Sequence, residues 1–428
     1  MIADAIAWLG QLDRGMLIAT FIIVVAFELP RYLLASVAML LAWSANRLDD
    51  SAAGGESFGV PGSAVSIVIA GHNEGDALRR CVKSLREQTL EGIEIICVSD
   101  GSSDHMVAEM HALEREGLIA RAIALDLRGG KPAGCNLGMA QSRRELVVIV
   151  DCDCSLERNC IERLVAPFAN PEVAATSGAI YVRNARDSIA ASFQAIEYLI
   201  GIGLGKRSAD ALNQGTCASG ALQAFRRTTL ERVGTMDSTG GEDFELTLRI
   251  REAGWLYRFV PEAVCHTDVP ATLAALLRQR VRWEGDGLDV RYRRHGYTMN
   301  PFDARYDWRE AIHQWEFLLF NVIASIAFPA YVFIMLFYYG EVGLIVLTAT
   351  LVVAMGFDAM HFFIANVLAG RNAMWRLAPF LLTYPLFQML LLRPHRALVY
   401  LNEAFLRHTL EDGYRPSKVR HDWWQANR

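Results

Sequence analysis

Leu146-Val147-Val148-Ile149-Val150-Asp151-Cys152-Asp153 is an unbroken apolar run that stops at two acids. Continuous Val, Ile and Leu read as a strand buried on both faces, the kind found inside a mostly parallel sheet. Upstream the pattern repeats. Residues 64–70 (AVSIVIA) form another such run, ending in Gly71-His72-Asn73-Glu74, and an amphipathic helix with Leu78, Cys81 and Leu85 on one face follows. Residues 93–98 read as a second strand, ending in Ser99-Asp100-Gly101-Ser102, and 120–125 as a third. Strands alternating with helices predict an open α/β sheet. In such sheets ligands bind outside the carboxyl ends of the strands, where these acids fall.

Each acid admits a plain reading and a chemical one. Asp151 and Asp153 stand two apart, so on an extended segment both carboxylates face the same way. Such a pair suits a hard cation, Mg2+ or Mn2+, bridging phosphate oxygens. Asp100 sits in a tight turn. There it either bonds local backbone or accepts a hydrogen bond from a base N–H or a ribose hydroxyl. Gly240-Gly241-Glu242-Asp243 precedes a helix expected from about Phe244. An acid at that place is a cap or a general base. Further on, Gln279, Arg282 and Trp283 share one helix face at i, i+3 and i+4. A guanidinium fork fits pyrophosphate and an indole offers a flat apolar surface. A basic helix lying on a membrane reads the same way.

The chain has 428 residues, 52% apolar and 21% charged, with mean hydropathy +0.19. That composition excludes a disordered chain, and a net charge of -5 gives no attraction to nucleic acid. The apolar excess lies mainly outside residues 60–309. Residues 317–340 carry no charge over a length sufficient for a helix through a bilayer. Residues 342–357 and 377–392 are further uncharged runs, the last broken by Pro379 and Pro385, and 15–27 and 32–46 lie near the start. The expected layout is an N-terminal membrane anchor over 1–50 and a catalytic domain over 60–290. Interfacial helices follow over 291–315, then two or three transmembrane helices over 316–395 and a basic tail over 396–428. The first apolar run is too long, and too poor in basic residues before it, for a cleaved signal, so the anchor is expected to stay. All eight cysteines lie between Cys81 and Cys265 without paired spacing, as expected of reduced thiols in a cytosolic domain. A full span over 377–392 is the expectation and would put the tail outside; the tail's arginines and Lys418 favour the inside, as a re-entrant run would allow. Asp358 and His361, at i and i+3 in the second run, either line a polar path or sit near the end of a tilted helix.

Taken together, Asp100 in Val98-Ser99-Asp100-Gly101-Ser102, the Asp151-x-Asp153 pair, Gly241-Glu242-Asp243 and Gln279-x-x-Arg282-Trp283 occur in one order and at one approximate spacing. The set resembles a membrane-integrated family 2 glycosyltransferase, similar to the cellulose, hyaluronan and chitin-oligosaccharide synthase group. Gly130-Lys131-Pro132-Ala133-Gly134-Cys135-Asn136 and Gln194-Ala195-Ile196-Glu197-Tyr198 support it. The resemblance covers about residues 65–283. It implies an α/β GT-A domain, a mixed, mostly parallel sheet with helices on both faces, inserted between transmembrane helices. It also implies a UDP-sugar donor and Mg2+ or Mn2+. Carried over residue by residue, Asp100 binds the uridine, Asp151 contacts the nucleotide and Asp153 ligates the metal. Lys131 and Asn136 line the donor pocket, and Asp243 is the base. Ser219, Gly220 and Glu242 lie by the acceptor, and Gln279, Arg282 and Trp283 hold the pyrophosphate and the acceptor end. Departures are Gly71-His72, where the family often has tyrosine and proline, Ser99 before Asp100, and Gly241, where the cellulose-type pattern has threonine. The expected activity is inverting transfer from a UDP-sugar to a growing polysaccharide or oligosaccharide, processive and with translocation of the product. The alternative is single transfer to a membrane lipid, as in ceramide glucosyltransferase-like enzymes. The catalytic domain is expected on the cytoplasmic side of the cell (inner) membrane. Four spans make a thin channel for one protomer, so a channel forms more readily between the protomers of a homo-oligomer.

Overall fold

The computed structural model describes residues 60–238 and 240–406, with scattered positions between 7 and 41. Most of the expected N-terminal anchor and of the basic tail lies outside the described residues. The described residues within Ala42–Ala271 form one compact unit, and those within Met1–Leu41 and Thr272–Thr409 form the other.

The first unit is built on an eight-stranded sheet in the order β3-β2-β1-β4-β7-β6-β8-β5. The strands are β1 (Val65–Gly71), β2 (Glu94–Asp100), β3 (Arg121–Leu125), β4 (Leu146–Asp151), β5 (Ser155–Leu156), β6 (Val173–Val182), β7 (Leu222–Arg226) and β8 (Leu256–Thr267). Between them lie helices α1 (Gly75–Arg86), α2 (Met106–Arg115), α3 (Lys131–Gln141), α4 (Cys160–Val165), α5 (Ile189–Tyr198), α6 (Lys206–Ala211), α7 (Arg227–Val233) and α8 (Glu242–Glu252). β1 is buried at all seven positions because it lies between β2 and β4, parallel to both. β7 runs antiparallel between β4 and β6, and β6 is parallel to β8. The sheet is therefore mixed and mostly parallel.

The order places a topological switch beside β1. The chain steps from β1 to β2 and β3 on one side, then returns to β4 on the other. Ligands of open α/β sheets bind at such a point. α3 lies against β1 and β2, and glycine is what lets it approach. A Cβ on Gly138 would stand 2.3 Å from a methyl of Val68. α8 begins at Glu242, two residues before the expected Phe244, after Gly241 in the left-handed conformation (φ 71°). Glu242 and Asp243 are thus first-turn residues, where the helix dipole favours negative charge.

The second unit is helical. It contains α9 (Leu273–Leu288), α10 (Trp308–Phe317), α11 (Ala324–Ala369) and α12 (Arg393–Leu406). As one straight rod, Trp308–Ala369 would be about 90 Å long, three bilayer cores. It is instead a hairpin. Gly340 breaks it with φ 49° and ψ -120°, a conformation open to glycine. Met335 and Val346, on either side of the break, pack in one cluster with Phe328, Tyr331 and Ala354. Gly343 lies so close to the first leg that a Cβ there would collide with the Met335 carbonyl. This is a helix long and apolar enough to cross a membrane. The segments Met374–Leu382 and Tyr384–Leu406 together pass the same test, but with a 66° bend between them. α10 has its amphipathicity reversed: Glu310, Ala311 and Gln314 are buried, while Trp308, Ile312 and Trp315 are exposed. α12 packs on α9 through Arg396 to Glu284 at 2.8 Å, the Tyr400 hydroxyl to Glu284, and His395 to the Leu277 carbonyl at 3.1 Å.

Candidate active site

Three adjacent parallel strands bring their carboxyl ends together: β2 with Asp100, β1 with the turn Gly71–Glu74, and β4 with Asp151. The two turns beside β1 and β2 are stapled to each other. Asn73, in the left-handed conformation (φ 59°), accepts from Ser103 N at 2.8 Å. Gly75 N donates to Asp104 at 3.0 Å. His72 Nδ1–H donates to the Asp100 carbonyl at 2.8 Å, which fixes the ring's tautomer.

Asp100 is 2% exposed. One carboxylate oxygen accepts from Gly129 N at 2.6 Å and the other from Gly130 N at 2.8 Å. The loop at the start of α3 is thereby folded over the end of β2. Each oxygen keeps lone-pair capacity beyond that bond. Gly130 then opens α3, whose first residue, Lys131, turns back into the crevice. Its ammonium meets Asp151 Oδ1 at 2.5 Å and the Gly220 carbonyl at 3.5 Å. Burial works against this charge, but Asp151 and Glu242 outweigh it and hold Lys131 protonated well above the usual lysine range.

Asp153 Oδ2 accepts from Thr267 Oγ1, at the end of β8, at 3.1 Å. Its pKa is pushed up by burial and by Asp151. Glu74 is pushed further, to about 7, by burial first and then by Asp151 and Asp153, with Lys131 pulling the other way. Glu74, Asp151 and Asp153 therefore crowd negative charge that one lysine does not balance. A set of hard oxygen donors under mutual repulsion fits a divalent cation. Among the described residues no group of three or more His, Cys, Asp or Glu closes around a single point. The fit is that of an ion held by one or two carboxylates and completed by phosphate and water, the usual arrangement for Mg2+.

Asp243 stands at the start of α8. Oδ2 accepts from Gly220 N at 2.8 Å and Oδ1 from Phe244 N at 2.7 Å, and the Cys217 thiol lies 3.9 Å from Oδ2. A chain of contacts thus runs from Asp151 through Lys131 and Gly220 to Asp243, joining residues more than 90 positions apart. Ser219 lies beside it on the same segment. Asn136 gives both halves of its amide to the Met236 backbone, at 2.7 and 3.0 Å, and so ties the segment that leads into α8. Gln279, Arg282 and Trp283 stand on α9, in the second unit, and there the Arg280 guanidinium lies 4.8 Å from the centre of the Trp283 ring.

Three site residues were given no role by the sequence. Glu74 is one; its position at the end of β1, matching Asp100 and Asp151 on their strands, was the available signal. Thr267 is another. Arg183 is the third: its guanidinium donates to the Asp153 carbonyl at 2.8 Å, to Ser155 Oγ at 2.9 Å, to the His266 carbonyl and to both oxygens of Asp268. It locks the turn carrying Asp153 onto the end of β8. Seven of the eight cysteines are buried, and Cys217 is partly exposed.

Comparison with known proteins agrees with this arrangement. Residues 66–234 match the family described as Glycosyl transferase family 2. The poly-beta-1,6-N-acetyl-D-glucosamine synthase of Staphylococcus epidermidis is 28% identical over 228 residues, 53% of this chain and 55% of that protein. Its counterpart from Staphylococcus aureus strain MSSA476 is 29% identical over 237 residues, 55% of this chain and 57% of that one. The chain spans about half the length of the curated relatives it matches. A mannosyltransferase from Pyrobaculum calidifontis, solved in complex with GDP-Man and Mn2+, has the same fold, with TM-score 0.54 at 18% identity over 90% of this chain and 99% of that one. The sheet is thus of the GT-A type.

Proposed function

We propose that this chain, whose residues 66–234 match Glycosyl transferase family 2, moves a sugar with inversion from a UDP-sugar to a growing polysaccharide or oligosaccharide at a membrane. The observation that carries this reading is the gathering of Glu74, Asp151, Asp153 and Asp243 about Lys131 and Gly220 at the carboxyl edge of the sheet. Asp100 is the hydrogen-bond acceptor for the nucleoside, and Asp151 and Asp153 would hold Mg2+ or Mn2+. Bound there, a divalent cation neutralises the charge that builds on the leaving diphosphate. Lys131 adds a fixed positive charge at the same place. Asp243 takes the proton of the attacking hydroxyl. One base and no enzyme nucleophile give a single displacement, so the anomeric configuration inverts. To the same reading belong the acceptor roles of Ser219, Gly220 and Glu242 and the pyrophosphate roles of Gln279, Arg282 and Trp283.

The membrane part of the proposal rests on the second unit. Each leg of the Gly340 hairpin is apolar; residues 317–339 alone reach about 35 Å, one bilayer core. Two legs return the chain to its starting side. The segment 372–392 is then re-entrant, because α12 beyond it is paired with α9, which precedes the hairpin. The exposed aromatic face of α10 lies in the interface between lipid and water.

The staphylococcal relatives make a polymer of N-acetyl-D-glucosamine, so UDP-N-acetylglucosamine is the first donor to test. Purified protein is offered a panel of UDP-sugars with Mn2+, and UDP release and product mass are measured. A ladder of masses separated by one sugar is the expected result. One sugar on a lipid identifies the ceramide glucosyltransferase-like alternative, and no UDP release from any donor overturns the activity.

A further inference from the structure

Lys206 opens α6, directly after the glycine-rich π-helical turn Leu199–Gly205. Its ammonium donates to the Cys217 carbonyl at 2.8 Å and to Ser219 Oγ. These two residues flank Ala218, whose N–H donates to Thr247 Oγ1 on α8 at 3.0 Å. Thr247 Oγ1 in turn donates to the Asp243 carbonyl at 2.6 Å. The Cys217 carbonyl also accepts from the Tyr257 hydroxyl at 3.2 Å. Residues 217–220 are therefore held at every position, and the outcome is the Gly220 N–H on Asp243 Oδ2 at 2.8 Å. Lys206 supplies two of those ties from one atom.

An ammonium in this place is costly. Burial pushes the Lys206 pKa below the usual lysine value, while Cys217 and Asp243 oppose the shift. An arrangement that puts a cation under desolvation calls for a gain elsewhere. Ordinary loop anchoring needs no lysine, since a carbonyl and a hydroxyl are satisfied equally by a neutral donor.

We propose that Lys206 is a positioning residue for glycosyl transfer: it fixes the segment Cys217–Gly220 so that Asp243 presents its carboxylate to the acceptor hydroxyl in one orientation. The inference rests on the transfer reading above. The direct contacts of Lys206 lie on the acceptor side, and the segment reaches the donor side through the Gly220 carbonyl and Lys131. With Lys206 gone, Tyr257 and Thr247 still hold Cys217 and Ala218, so the domain keeps its fold while the aim of Asp243 loosens.

The test compares wild type, Lys206→Met, Lys206→Arg and Ser219→Ala as full-length protein. UDP binding is measured by calorimetry, and steady-state UDP release with UDP-N-acetylglucosamine, or with whichever panel donor the wild type turns over. Lys206→Met is expected to lose about 10- to 100-fold in kcat, with the UDP dissociation constant and the donor KM within about twofold of wild type. Lys206→Arg restores most of the rate, and Ser219→Ala falls between. A donor KM that rises in proportion to the loss of kcat, an arginine variant no better than methionine, or a methionine variant at the wild-type rate each overturns the inference. A wild type that releases no UDP from any donor overturns the transfer reading itself, and this inference with it.

Discussion

At the scale of single residues, the site is a problem of charge. Glu74 is held to about 7 against its ordinary 4.5 by burial and by Asp151 and Asp153. A carboxyl with a raised folded-state pKa loses stability on ionising: the cost is absent below about pH 4.5, develops as pH rises, and is complete above about 7. Glu74→Gln removes that cost. In metal-free buffer the variant is expected to match wild type at pH 4.5 and to exceed it by about 2 kcal/mol at pH 8, a value discounted for partial exposure. Thermal melts at the two pH values check this; equal differences at both would remove the argument for crowded charge. Asp243→Asn is expected to cost transfer about 10²- to 10⁴-fold while UDP binding, followed by calorimetry, persists. Near-normal transfer in that variant would remove Asp243 as the base. The acids were legible because strand ends are legible: Asp100, Asp151 and Asp153 follow runs of Val and Ile, and Asp243 follows paired glycines. Lys206, Arg183 and Thr267 were not, because each acts on a partner distant in sequence, Arg183 on Asp153 and Lys206 on Ser219.

At the scale of elements, β1, β2 and β4 read directly from their composition, since a strand buried on both faces has little besides Val, Ile, Ala and Cys. β6 does not. Its sequence VAATSGAIYV is wholly buried although Thr176 and Ser177 interrupt the apolar run, because their hydroxyls are satisfied inside. Thr176 donates to the Leu164 carbonyl at 2.8 Å, and Ser177 bonds the Tyr257 hydroxyl at 2.6 Å. The antiparallel half of the sheet was therefore hidden by contacts that only tertiary structure supplies. The prolines of 377–392 gave the break in that run, and the 66° bend beside Thr383 gives its size. Pairing of α12 with α9 through Glu284, Arg396 and Tyr400 fits the re-entrant segment proposed above. A fluorescent protein that matures in the cytosol, fused after Arg428, is expected to fluoresce, and a periplasm-dependent phosphatase at the same place to stay inactive. The reverse pattern would mean that 372–392 crosses.

At the scale of the whole chain, the apolar excess in the composition divides between two kinds of interior. In the first unit it fills the almost wholly buried strands β1, β2, β4 and β6. In the second it is turned outward, as on α10 and on both legs of α11, where Phe333, Phe337, Val352 and Phe363 are exposed. The reversal at Gly340 has a further consequence for how such a chain is made. A single residue separates the two legs, so no hydrated loop exists that would have to be carried across ahead of the second leg. If the pair crosses the lipid as proposed above, it would enter as one hairpin led by its tip, and Glu341 is the charge beside that tip. A bulkier residue at Gly343, which would collide with the Met335 carbonyl, would on that reading disturb the closing of the hairpin before it could disturb transfer.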